Sequence, residues 1–167
     1  NVELPAGDLD GVGQRAEGNV IELFDRVSLQ PGPADPDAAR YLAPEALIER
    51  DDPAIVAEAA LAVAGGQGAR ARAERLTRYV NGLFDKKPTV SLPSASEVLR
   101  TKVGDCNEHT ALYVAMARSI GIPARIAVGL AYTRGAFYYH AWPEVYLAEP
   151  DGRGMWLPVD PTFNQYP

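Results

Sequence analysis

At 167 residues, 47% of them hydrophobic and 23% charged, the chain can bury a sizeable core without disulfides and shows neither fibrous nor disordered bias. Its net charge of −6 and pI near 4.9, with no block of like charge, argue against a nucleic-acid partner or an anionic membrane surface. No apolar run approaches the length of a bilayer span, which leaves a soluble domain acting on neutral or basic material.

In chain order, residues 1–50 read as an N-terminal extension, an arm or a lid, ahead of a domain over 51–167. Within the extension "NVIELFDRVSL" has enough alternation for a strand, which we expect to add to a sheet edge as an arm. The proline-rich "QPGPADPDA" is a loop, and "YLAPEALIER" suits a short helical piece. Helical signals sharpen at Asp52, a candidate N-cap with Pro53 at the first helical position and Gly65-Gly66 as a stop. A second helix is expected over 69–83, with Leu76, Val80 and Leu83 on one face. After the loop "DKKPTVSLPSA", Ser94 and Glu97 have capping-box spacing for a short helix. A further helix runs from Cys106 to about Ile120, with a stripe of Leu112, Ala115, Met116 and Ser119, and Gly121 and Pro123 end it. Three segments of period two follow: "ARIAVGLAY", "YHAWPEVYLA" and "GMWLPVDPT", the last two joined by the turn signal Glu149-Pro150-Asp151-Gly152. Helices followed by an antiparallel meander define an α+β domain. The start at Asn1 and the end at Pro167 suggest an excised or processed piece of a longer protein, with an extracytoplasmic setting compatible with it.

The single cysteine, Cys106, stands at a helix start, where unpaired backbone N–H groups and the helix dipole favour a thiolate. The same N–H groups can stabilise an oxyanion formed when sulfur attacks a carbonyl. Gly104 lets the chain turn closely into the helix, and Asp105, a negative neighbour, is expected to cap it. The nucleophile needs a base, and the chain has two histidines. His109, one turn along the same helix, points along the helix side and suits local hydrogen bonding. His140, on a strand, is the better base, with a ring nitrogen expected within about 4 Å of the sulfur. Pairing of residues 139–147 with 154–160 makes His140 and Asp160 cross-strand neighbours, so Asp160 can orient the imidazole. Cys106-x-x-His109 with Glu108 lacks a second ligand cluster, so we expect no metal site and no cofactor.

"GDCNEHTALYVAMARSIGIPARIAVGLAY", then "YHAWPEVYL", then "WLPVDPT", resembles the transglutaminase-like superfamily of papain-like thiol enzymes, from about Ser94 to Thr162 and weakly back to Ala69. The resemblance implies a papain-like α+β core with a nucleophile helix packed on an antiparallel sheet. Carried over by residue, it implies Cys106 as nucleophile, His140 as base and Asp160 as orienting acid. The implied activity is acyl transfer at amide bonds through a thioester, as a peptidase or amidase or as a protein-glutamine transglutaminase, on a protein or peptide substrate. The Cys106 backbone N–H is one implied oxyanion donor. The second is unassigned, with Tyr79, Asn81 and Asn107 as candidates. The chain is much smaller than the better-known eukaryotic members and has no recognisable calcium site. Trp142 is a candidate for lining the substrate cleft, Trp156 for sheet packing, and Arg118 and Arg125 for structural ion pairs. The competing reading is a non-catalytic binding or scaffolding module with a vestigial triad.

Overall fold

The structure, a computed structural model, describes residues 9–25, 29–89 and 94–167. The tail of the 19–29 strand candidate and part of the 85–95 loop lie outside them. Asp52 caps helix α1 (Pro53–Ala62) by accepting from the Ala54 N–H at 2.8 Å, and Pro53 starts it without losing a hydrogen bond that the first turn could make. Helix α2 (Gly68–Leu83) buries Leu76 and Val80 and leaves Leu83 half-buried, the face its spacing predicts. Helix α3 (Ala95–Thr101) forms, but without the expected capping box. The Ser94 hydroxyl donates instead to Glu49 at 2.5 Å, and Glu97 pairs with Arg100. A distant partner took Ser94, and a nearer cation took Glu97.

Helix α4 (Cys106–Ser119) carries more than the predicted stripe. Leu112, Tyr113, Val114, Ala115, Met116 and Ala117 are all fully buried, because α1, α2 and α3 cover one side and the sheet the other. A helix apolar all round belongs in an interior. Two of its polar groups find partners there. Thr110 donates to the Ala141 carbonyl, and Tyr113 donates to the Ala73 carbonyl on α2, both at 3.1 Å.

The sheet holds strands β6 (Ala124–Thr133), β7 (Ala136–Ala148) and β8 (Arg153–Pro158), in the antiparallel meander read from the sequence. Gly152, at φ +82°, closes the β7–β8 turn as Pro-Asp-Gly demands. The short strands β4 (Asp85–Lys86) and β5 (Val103–Gly104) pair in parallel and bring the chain after α2 alongside the entry to α4.

The N-terminal region departs from the expected arm. Val20–Leu23 does not join the main sheet. As β2 it pairs with β1 (Gln14–Glu17) in a hairpin of its own. The edge strand is Gly32–Pro33, β3, in the proline-rich stretch read as loop, giving the order β3-β8-β7-β6. A strand needs a free edge of matching register more than it needs alternation, and β8 offered that edge to residues 32–33. The following residues wrap across the sheet. Asp35 accepts from the Trp156 indole at 2.8 Å, and Tyr41, in a 3-10 turn over Ala38–Leu42, packs edge-on against that indole.

Arg118, fully buried, ties these layers together. It donates to the Ala124 carbonyl at 2.9 Å and the Ala43 carbonyl at 2.7 Å, and pairs with Glu45 at 2.9 Å. Arg125 pairs with its cross-strand partner Glu144 at 2.8 Å and lies 4.1 Å over the Trp156 ring. Both arginines are structural, as the sequence suggests.

Candidate active site

Cys106 is the first residue of α4, so its N–H lacks an acceptor inside the helix. Asp105 caps that end, and Glu108 completes a capping box: the Asp105 N–H donates to Glu108 Oε2 at 3.0 Å, and the Asp105 carboxylate accepts from the Asn107 N–H. The Glu108 carboxylate is buried and also accepts from Thr89 at 2.6 Å. Gly104 is glycine for lack of room. A Cβ there would lie 2.3 Å from the Glu108 Cβ. The signal for this cap, Asp-x-x-Glu at 105–108, stood in the sequence, although only Asp105 was read as part of it.

His140 comes from β7, opposite Gly129 on β6. Asp160 follows β8. The pairing of Glu144 with Pro158 sets a register in which Asp160 would face Trp142, so His140 and Asp160 lie on a diagonal rather than directly opposite. The diagonal is within reach of a carboxylate and a ring. His140 Nε2 and Asp160 Oδ2 lie 2.7 Å apart. Cys106, at the start of α4, comes near enough to the same imidazole to favour its charged form.

Asp160 is itself locked. Its Oδ1 accepts from the Phe163 N–H at 3.0 Å, and its backbone bridges to Gln165. Asn81 on α2 donates to the Pro161 and Thr162 carbonyls at 2.7 and 3.2 Å, and Lys86 on β4 to Thr162 at 2.9 Å, so the turn after β8 is tied to α2 and β4. The imidazole sits between two aromatic rings, Phe163 at 4.9 Å and Trp142 at 6.0 Å between centroids. The Trp142 indole lies over Gly129, where a Cβ would come within 2.9 Å of it. Phe163 and Gly129 as neighbours of the site escape the sequence, since each acts through a contact with a distant segment, and Asn81, an oxyanion candidate in the sequence, instead holds the turn behind Asp160.

Burial pushes the His140 pKa down, but the hydrogen bonds to Asp160 and Cys106 and the negative charge of both overcome it and raise it to about 9. His109 takes the opposite course. It is fully buried, and burial lowers its pKa despite a bond from Nδ1 to the Asp105 carbonyl at 2.5 Å. It stacks on Phe84 at 3.9 Å.

Of the three candidates for the second oxyanion donor, two are engaged elsewhere. The Tyr79 hydroxyl donates to Glu58 at 2.5 Å, which with burial holds its pKa up at about 12. The Asn81 amide is spent on Pro161 and Thr162. Asn107, the second residue of α4, accepts from the Tyr139 hydroxyl at 3.3 Å through Oδ1. A cleft of about 500 Å³ adjoins the His140–Asp160 pair. Its lining includes Trp142, Phe163 and Tyr132, and on the far wall Gln14, Leu23 and Phe24 of the N-terminal hairpin, while Cys106 stands outside it.

With this geometry in place the comparisons are specific. The sequence profile of the transglutaminase-like superfamily matches residues 57–161, well over half the chain, and the chain belongs to that superfamily. The match starts in α1, earlier than the motifs alone indicate. In fold the chain is similar to a candidate cysteine protease from Cytophaga hutchinsonii, with a TM-score of 0.66 and 23% identity over 77% of this chain and 43% of that one. It is also similar to the periplasmic domain of TgpA from Pseudomonas aeruginosa, with a TM-score of 0.55 and 23% identity over 78% of this chain and 49% of that one. The chain thus spans less than half the length of either solved chain. No curated protein matches it in sequence. The fold is the papain-like, transglutaminase-like one expected from the motifs.

Proposed function

We propose that the chain is a thiol acyl-transfer enzyme in which Cys106 is the nucleophile, His140 the general acid and base, and Asp160 the group that orients His140. The observation that carries this reading is the His140 imidazole held 2.7 Å from the Asp160 carboxylate, near Cys106 at the start of α4, where opposite charge holds its pKa up. At neutral pH such a ring is an imidazolium, the partner a cysteine nucleophile needs. The thiolate attacks an amide carbonyl, forming the C–S bond and an oxyanion that the Cys106 N–H stabilises. Collapse breaks the C–N bond, and His140 gives its proton to the leaving amine. Water then resolves the thioester in a peptidase or amidase, or a second amine in a transglutaminase. Hydrolysis is the outcome we favour. The Asn107 side chain, beside Cys106 at the start of α4, is our candidate for the second oxyanion donor, and Trp142, on the cleft wall beside the imidazole, for a substrate contact. The substrate is a protein or peptide, and the setting extracytoplasmic.

The test is acylation by p-nitrophenyl acetate followed by mass spectrometry of the intact protein. The wild-type chain should release nitrophenolate in a burst and retain one acetyl group on Cys106, and Cys106→Ala should do neither. A wild-type chain that takes up no acetyl group, while its cysteine reacts no faster than a free thiol with iodoacetamide, would favour the scaffolding reading.

A further inference from the structure

We propose that His109 is a positioning residue that aims the Cys106 N–H at the oxyanion; this rests on the acyl-transfer reading above. A peptide unit is planar, so the Asp105 carbonyl and the Cys106 N–H share one plane and point in opposite directions. Whatever holds the carbonyl therefore aims the N–H. That carbonyl accepts twice from one residue, from the His109 backbone N–H at 3.1 Å and from His109 Nδ1 at 2.5 Å. On the other side of Asp105, its own N–H is held by Glu108 at 3.0 Å. The three bonds hold the residue preceding Cys106 at φ −123° and ψ −139°, outside the ordinary helical region.

The clamp is rigid. His109 is fully buried and lies flat against Phe84, with ring planes 22° apart. Its protonation is settled as well. A carbonyl only accepts, so Nδ1 carries the hydrogen, and burial keeps the ring neutral. Nε2 is then a bare lone pair, and among the described residues it is a buried atom without a hydrogen-bond partner. Packing alone does not account for a histidine here. Leucine would fill the same apolar place without stranding a buried acceptor. The gain comes at Nδ1, whose bond both orients the peptide and polarises it, making the Cys106 N–H a stronger donor.

Alkylation and acylation separate this role from mere packing. Iodoacetamide reacts with the thiolate by displacement and builds no oxyanion. p-Nitrophenyl acetate reacts through a tetrahedral oxyanion. Removing a whole oxyanion donor costs about a hundred- to a thousandfold, so misaiming one in His109→Leu should slow acylation about ten- to a hundredfold. Alkylation of the same variant should stay within about twofold of wild type, because the thiolate and its His140 partner are untouched. His109→Asn, whose side-chain N–H sits near the place of Nδ1, should recover part of the acylation rate. Equal losses in both reactions, or no loss in either, would overturn the role of His109 while leaving the acyl-transfer reading intact. A wild-type chain that alkylates but is never acylated would overturn both. If the leucine variant does not fold, ¹⁵N spectra of the wild-type imidazoles decide: the Nδ1–H tautomer of His109, unchanged from pH 8 down through its ordinary pKa of 6.5, supports the clamp, and the Nε2–H tautomer overturns it.

Discussion

His109 and His140 lie close to the same helix end, both shut away from water, and the surroundings drive them in opposite directions. For each, burial is the largest single influence and disfavours the charged ring. Around His109 the main counterweight is one backbone carbonyl, and the ring stays neutral. Around His140 the counterweights are hydrogen bonds and negative charge from Asp160 and Cys106, and the ring holds its proton up to about pH 9. A buried histidine is thus neutral by default, and becomes a cation where anions face it from two sides. That contrast separates the histidine we propose for chemistry from the one we propose for geometry.

The contrast breaks most completely at the sulfur. Cys106→Ala removes the proposed nucleophile and one of the two groups that raise the His140 pKa, so acylation should vanish and that pKa should fall below 9, as read by NMR titration. Asp160→Asn removes the other anion and leaves the imidazole unoriented; acylation should drop by about three to four orders of magnitude with the circular dichroism spectrum unchanged. An Asp160→Asn chain as active as wild type would reduce the site to a Cys-His pair.

Stability against pH sharpens the comparison further. The His140 pKa is raised on folding, so its contribution is complete below the ordinary value of 6.5 and is lost as pH rises through about 9. The His109 pKa is lowered, so its neutral ring supports the fold above 6.5 and penalises it as pH falls below that value. Urea midpoints of wild type and His140→Gln should therefore differ most in mildly acidic buffer and draw together above pH 9. A gap independent of pH would mean that His140 contributes packing and no charge. The smallest effect is expected at Asn81→Ala, which frees the turn behind Asp160 without touching the imidazole. It should cost about 1 kcal/mol of stability in urea melts and less than about tenfold in acylation rate.

The parts legible in the sequence were those in which local pattern and tertiary role agree. Asp52-Pro53 starts α1, Gly152 turns β7 into β8, and Cys106 opens α4 behind Asp105. The meander followed from its period of two, and with it the approach of Asp160 to His140, although the register makes them diagonal rather than opposite. Where the reading erred, a distant partner decided. Ser94 gave up its cap for Glu49, forty-five residues away, and β3 formed from "GP" because β8 had an edge to fill. The expected arm "VIELF" paired with residues 14–17 instead, and the hairpin came to face the cleft beside His140. His109 was read as a locally bonded side chain, and so it is. Its proposed bearing on Cys106 follows because the carbonyl it holds belongs to the peptide unit that carries the Cys106 N–H.

With two histidines in the chain, one titration followed by imidazole NMR tests the central claim, that His140 is a cation shared by Cys106 and Asp160 at neutral pH. The account predicts one ring that titrates near pH 9 and disappears in His140→Gln, and a second that remains neutral down to its ordinary pKa of 6.5. A His140 midpoint at or below 6.5 would contradict it, leaving Cys106 without the imidazolium on which the proposed chemistry depends.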